Sequence, residues 1–463
     1  MESSFSVPLP HPFYADHVLY HAYDWGTTLP SVRAWEFSGW RDESTSWVDG
    51  CYIHAGLSRT GPISIKGRGA AEWLQGLVIN SFARFPVGSM KHAVMLNDGG
   101  LIVAHGIVER KAPDEFESFA GGPPGRVAPS DVPDDVEITR LDHYLFQIAG
   151  PTSLDVLEKV TGDDLRDVGF LRFRDTVIDG RTTEVGRIGM TGSMAYELHG
   201  PMADAPAIYD AVYQAGQELG LRRLGWGTYL VNHVEGGFPQ QTWTFAAALD
   251  PDSHPEVAGF WRNVSGSVDP ADRRARCRTP VEVRWHNMAR FDHDFPGSDA
   301  LRAEIDEPRR TTVTLRWNTE DVLDTYASLF RGGEPYTPIE FPYSPQRWPM
   351  AHADHVLLDG GPDRMVVGHR VQLPLPGNDL DGLPRRRRHR DRHRGGRAVG
   401  RPRRTPQGRP GHRRTLPLPH RRTQQRPRYH HPTGMTDRAR CVPAQVGTAI
   451  AARSDPAGVG FRA

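Results

Sequence analysis

The run Arg187 to Pro201, RIGMTGSMAYELHGP, concentrates the residue types that could bind a ligand. Gly189 and Gly192 flank a bend, with Met190 between them, and Ala195-Tyr196-Glu197-Leu198 then resumes an extended alternation that ends at Gly200-Pro201. Glu197 is isolated among apolar neighbours. Its carboxylate is either an edge-strand charge facing water or an acceptor aimed at the donors of a bound ring system. Tyr229, in GTYLVNHVEGGFP, carries a phenol whose ordinary pKa near 10 keeps it protonated and able to donate; the alternative is a core tyrosine on a helix. Phe238 is an aromatic that could flank a ligand ring or simply fill a core. His105 has an ordinary pKa near neutrality and could carry a proton, although a satisfied histidine within a sheet is the commoner case. No metal-ligand set stands out: Cys51, Cys277 and Cys441 are too few and too scattered for a zinc knuckle or a disulfide framework, and they read as single thiols.

The elements that must position these residues follow from periodicity. Gly61 to Gly67 alternates as a strand, and Gly69 to Val78 has helical spacing. His92 to Leu96 and Leu101 to Val108 form a hairpin across Asn97-Asp98-Gly99-Gly100, whose residues tolerate positive φ. Residues 111–137 are dominated by Pro, Gly, Asp and Glu and read as a loop. Asp142 to Ala149 is a strand stopped by Gly150-Pro151, followed by a helix from Ser153 to Val160; the same strand, Gly-Pro, helix order recurs at Glu197 to Pro201 and Ala205 to Leu219. The expected class is α+β.

With 463 residues the chain can hold two or three domains, and 38% hydrophobic residues with eleven tryptophans suit a folded protein. No apolar run approaches the roughly 20 residues that span a bilayer, and the amino terminus lacks a basic region followed by an apolar one, so the reading is cytoplasmic with no membrane partner. The net charge of zero hides a division. Residues 370–463 hold 23 Arg, no Lys, 5 Asp and no Glu, leaving 33 basic and 51 acidic side chains on the rest. Such a tail could neutralise phosphates. Arg, Pro, Gly, Ala and His without Lys are, however, what a GC-rich gene yields out of frame, so the segment reads as out-of-frame sequence, disordered for want of apolar residues, and not as a nucleic-acid arm.

Between Trp35 and Gly368 the chain resembles the glycine cleavage T-protein (aminomethyltransferase) superfamily, and within it the tetrahydrofolate-dependent O-demethylases of methoxylated aromatic acids such as vanillate and syringate. The strings that carry the resemblance are EFSGWR (36–41), LFQIAGP (145–151), DVLEKV (155–160), GMTG (189–192), ELHGP (197–201), FDHDFPGSDAL (291–301), and VTLRWN with YASLF (313–318 and 326–330). The resemblance implies a T-protein-like folate-binding region at 35–275, preceded by an arm at 1–34 and followed at 276–369 by the start of a carboxy-terminal β-barrel left incomplete by the tail at 370–463. Strands such as Thr312 to Trp317 are then expected to lack partners. It further implies tetrahydrofolate as cofactor, with Glu197 holding the pterin beside Met190, Gly192 and Phe238. The implied activity moves a methyl group from a small methoxylated acid to tetrahydrofolate, with Tyr229 as proton donor. The departures are Ala104 and His105 where T-proteins carry an Asp pair, and HAGLSRT (54–60) without the histidine that demethylases place near Ser58 or Arg59. They keep open a non-catalytic or regulatory folate-binding protein, or an aminomethyltransferase-like enzyme with another one-carbon donor.

Overall fold

The computed structural model describes residues 20–24, 31–58, 62–119, 122–127, 131–190, 192–241, 244–254, 257, 261, 264, 266–336, 353–358, 361–367 and 446–452. Two sheets dominate. The first has six strands in the order β10-β11-β12-β9-β3-β13: β3 (Cys51–His54), β9 (His143–Ala149), β10 (Phe173–Ile178), β11 (Arg181–Gly186), β12 (Ala195–Pro201) and β13 (Leu221–Arg223). The second has five in the order β5-β6-β7-β4-β8: β4 (Ile63–Lys66), β5 (Ser89–Leu96), β6 (Ile102–Ala112), β7 (Glu115–Ser118) and β8 (Glu137–Arg140). All pairings within them are antiparallel except β3 with β13.

Strand parity explains the layers, because successive side chains leave opposite faces. On the first sheet, Ile53, Phe146, Ile148, Val185, Tyr196 and Leu198 fall on one face and build the main apolar core with the helices Ser153–Thr161 and Ala205–Gly216. The opposite face carries Tyr52, His54, Gln147, Glu184, Glu197 and His199, all buried. The second sheet covers part of that polar face: Met90 of β5 lies so close to Gly186 that a Cβ there would sit 2.2 Å from its methyl carbon. Its far side packs Ile65, Phe116 and Val108 against Leu74 of the helix Ala70–Leu77.

The helix Trp226–Gly236 packs on the polar face of the first sheet at Tyr52 and His54, and a buried carboxylate fixes its start. Glu43 accepts from the backbone N–H groups of Phe37 (2.5 Å), Ser38 (3.1 Å) and Gly225 (2.7 Å). Gly225 is required there, since a Cβ would meet the Trp35 carbonyl oxygen at 2.1 Å.

Within the expected arm at 1–34 and running just past it, Tyr20–Asp24 (β1) pairs with Ser31–Glu36 (β2). The sequence reading needs correction in two places. The supposed loop at 111–137 contains the end of β6, all of β7 and a 3-10 turn at Pro123–Arg126; Pro and Gly in that stretch mark turns between short strands. Finally, β14 (Arg310–Arg316) does have a partner: it pairs antiparallel with residues 446–452, here β17, from within the basic tail. A further hairpin joins β15 (Ala353–Leu358) to β16 (Gly361–Val367), and no closed barrel appears among the described residues. Apart from 446–452, the expectation for the tail falls outside the described residues, as does Cys441. Cys51 and Cys277 are buried and free.

Leu198 is fully enclosed in the main core, so Leu198→Ala should lower unfolding free energy by about 2–5 kcal/mol. Denaturant titration checks this: the midpoint should fall with an unchanged slope, and a loss below about 1 kcal/mol would mean that the core is not built around β12.

Candidate functional site

Glu197 sits on an interior strand, with β11 on one side and β9 on the other, and is only 8% exposed. The exposed edge-strand reading is thereby excluded. In register across the sheet, His54, Gln147 and Glu197 stand side by side on the polar face. The Tyr52 hydroxyl donates to Gln147 Oε1 at 2.7 Å and lies 3.0 Å from Asn232 Oδ1 on the closing helix. Gln147 is fully buried, and its Nε2 has no hydrogen-bond partner among the described residues. A buried amide donor left open costs about 1–3 kcal/mol. It stands on the strand beside Glu197, so a donor and an acceptor occupy neighbouring positions on the same face.

Around Glu197 lies a charged seam that joins the two sheets. His199 follows Glu197 on the same face, and its Nε2 is 3.3 Å from Glu197 Oε2. Its Nδ1 is 3.2 Å from Glu184 Oε1 and 3.6 Å from Glu109 Oε1, the latter reaching across from β6. Lys111, also on β6, bonds Glu184 and lies 3.6 Å from Glu109. Burial opposes the charged imidazole, but its hydrogen bonds to Glu184 and Glu197 and the charge of Glu184 hold its pKa up at about 10. Burial opposes ionisation of Glu184 too, yet His199 and Lys111 hold its carboxyl down at about 2. Glu109 moves the other way: burial and the adjacent Glu184 keep it protonated well above the usual carboxylate range. Glu109, Glu184 and His199 have ligand atoms within 4.8 Å of one another, as a metal site would. The Lys111 ammonium already supplies a cation to both carboxyl groups.

Tyr229 is fully buried on the helix Trp226–Gly236, its ring stacked on His54 at 3.9 Å between centroids. His54 Nδ1 donates to the Leu224 carbonyl at 2.9 Å, which fixes the imidazole beneath the tyrosine. Met190 packs into the same cluster, with Trp47, Tyr52 and Trp226. Gly192 adopts φ of +80°, the left-handed conformation that the bend demands.

His105 and Phe238 belong to a neighbouring aromatic group. His105 lies on the face of β6 that also carries Glu109 and Lys111, and its ring is 4.8 Å from Trp285 and 6.2 Å from Phe238. Its Nε2 accepts from the Gln241 backbone N–H at 3.3 Å, so its Nδ1 carries the hydrogen and donates to His92 Nε2 at 3.1 Å. Burial, with His92 adding to it, pushes the His105 pKa well below its ordinary value. Both ring nitrogens are thus engaged. Met190 and Tyr229 thus share one cluster, Glu197 stands two strands from His54 on the same face, and His105 and Phe238 belong to a separate aromatic group. His54, Gln147, Glu184 and Glu109 were not singled out by sequence; for His199 the two-residue spacing from Glu197 was the available signal.

Residues 19–260 match the GCVT N-terminal domain family. The chain belongs to that family. Sesamin methylene transferase of Sinomonas sp. (strain No.22) is 36% identical over 349 residues, spanning 70% of this chain and 76% of the relative. Syringate O-demethylase of Sphingobium sp. (strain NBRC 103272 / SYK-6) is 29% identical over 351 residues, spanning 72% and 75%. An aminomethyltransferase of Thermotoga petrophila is 23% identical over 285 residues, spanning 60% and 70%. This GCVT-family chain accordingly stands within the T-protein superfamily near the O-demethylases, a group of one-carbon transferases that use tetrahydrofolate. Among its described residues no helix is long and apolar enough to cross a membrane.

The seam makes a pH prediction. The folded-state pKa of His199 is raised, so the stability it contributes is fully present below the unfolded value near 6.5 and is lost as pH rises through about 10. Thermal unfolding followed from pH 6.5 to 10 should show a declining midpoint, and His199→Gln should make that decline shallower. An identical slope in the variant would mean that His199 is not charged in the folded state.

Proposed function

We propose that this protein is a tetrahydrofolate-dependent methyltransferase that removes a methyl group from a small methoxylated, aromatic acid, with Glu197 as the anchor of the pterin. The observation that carries the reading is the pairing of a buried, oriented carboxylate at Glu197 with the open amide donor of Gln147 on the neighbouring strand. The residues fit the cofactor: a pterin edge offers both N–H donors and acceptors, which Glu197 and Gln147 would engage. Bound there, tetrahydrofolate supplies a nucleophilic ring nitrogen as acceptor of the one-carbon unit.

The chain's own contribution is alignment and protonation. Holding acceptor and methyl carbon in line supplies effective molarity, and enclosure between the sheets keeps water from competing. A methyl ether leaves as an alkoxide or phenoxide, so a proton delivered to the ether oxygen assists most, by roughly 10²–10⁴ in rate. Tyr229 is assigned that donation, with His54 fixing its ring from below. His105 and Phe238, with Trp285, form an aromatic wall suited to a flat donor molecule. A second reading, a folate-binding protein without catalysis, is favoured by the neutral, fully engaged His105 where T-proteins carry an acid.

Glu197→Gln should weaken tetrahydrofolate binding by about 1.5–3 kcal/mol, the scale of a hydrogen bond to a charged group; unchanged affinity by calorimetry would remove Glu197 from the cofactor site. Tyr229→Phe should cut turnover about 10²-fold or more while folate affinity stays nearly intact. Equal losses in both quantities would mark Tyr229 as structural.

A further inference from the structure

We propose that His199 is the positioning residue for Glu197: its imidazolium, clamped between Glu184 and Glu197, holds one carboxylate oxygen of Glu197 so that the other is presented to the cofactor. The inference rests on the reading of Glu197 as the cofactor anchor and adds the device that makes it one.

The geometry leaves the imidazole little freedom. Both of its nitrogens face carboxylates, Nε2 toward Glu197 at 3.3 Å and Nδ1 toward Glu184 at 3.2 Å, so both must donate. The Phe119 ring lies 4.3 Å from it, centroid to centroid. Glu184 is itself tied to Lys111. The clamp therefore draws on two sheets, with Glu184 from β11, Glu197 from β12, and Glu109 and Lys111 from β6. Glu117 of β7 and His143 of β9 are the other titratable groups whose charge interacts with it. His199 and Lys111 meet Glu184 from two sides, and breaking such a buried pair by removing one partner would be strongly destabilising, so the clamp is held in place. A carboxylate alone on that strand could rotate; one oxygen held by a fixed imidazole N–H leaves the remaining oxygen as the acceptor for ring N–H donors.

A double-mutant cycle on the full chain, read by calorimetric titration with tetrahydrofolate, tests the inference. His199→Gln should weaken binding about tenfold in the otherwise unaltered protein and by less than about twofold in the Glu197→Gln background, because residues that act as a unit are not additive. Equal losses in both backgrounds, or no loss from His199→Gln, would overturn the positioning role while leaving Glu197 as the anchor. If Glu197→Gln itself leaves affinity unchanged, the underlying reading fails instead. Should His199→Gln not fold, the unmutated protein labelled with ¹⁵N-histidine gives the answer. Burial holds His92 and His105 neutral, so an imidazolium signal persisting at pH 8.5 and shifting when tetrahydrofolate is added is expected; its absence overturns the proposal.

Discussion

The contact on which the site depends is the charged hydrogen bond between His199 and its two carboxylates. Sheets usually meet through apolar faces, yet here the space between them is crossed by Glu184, Glu197 and His199 from one side and Glu109 and Lys111 from the other. Replacing such a network with apolar residues is often neutral or stabilising. We propose that its presence reflects what it does for Glu197 rather than stability. The apolar core on the opposite face of the same sheet supplies the rigidity: Tyr196 and Leu198 are locked among Ile53, Phe146 and Ile148, and the alternation of the strand converts that rigidity into a fixed direction for Glu197.

The second constraint is the entry of the helix Trp226–Gly236. Glu43 gathers three backbone N–H groups at its start, and Gly225 lets the chain pass against Trp35. These contacts set where Tyr229 meets His54. The helix ends at Gly237 with φ of +66°, which turns the chain toward Phe238 and Gln241 on His105. One short helix thus couples the cluster around Tyr229 to the aromatic wall around His105.

Local pattern made much of this legible. The strand containing Glu197, the hairpin bearing His105 and the helices after each Gly-Pro stop were readable from periodicity and turn residues. Pairing across long separations was not. Glu109 and Lys111 look like solvent charges on an alternating strand, and nothing within β6 shows that Glu184, on a strand of the other sheet, will meet them. The acidity of residues 111–137 concealed β7 in the same way, since Glu117 reads as exposed although it is buried. His54 carries no local signal, because its stacking arises only where the helix Trp226–Gly236 lays Tyr229 over it. Residues 446–452 pair with β14 even though their surroundings in the chain are dominated by arginine, because pairing needs only backbone donors and acceptors in register.

The central claim is that the inter-sheet site moves a methyl group to folate. The most direct measurement incubates the full chain with tetrahydrofolate and methoxybenzoates carrying a deuterated methoxyl group, and follows the label by mass spectrometry. The account predicts labelled methyl-tetrahydrofolate together with the matching phenol, in equal amounts. Label that stays on every donor while tetrahydrofolate is bound would contradict it and leave a folate-binding protein without methyl transfer.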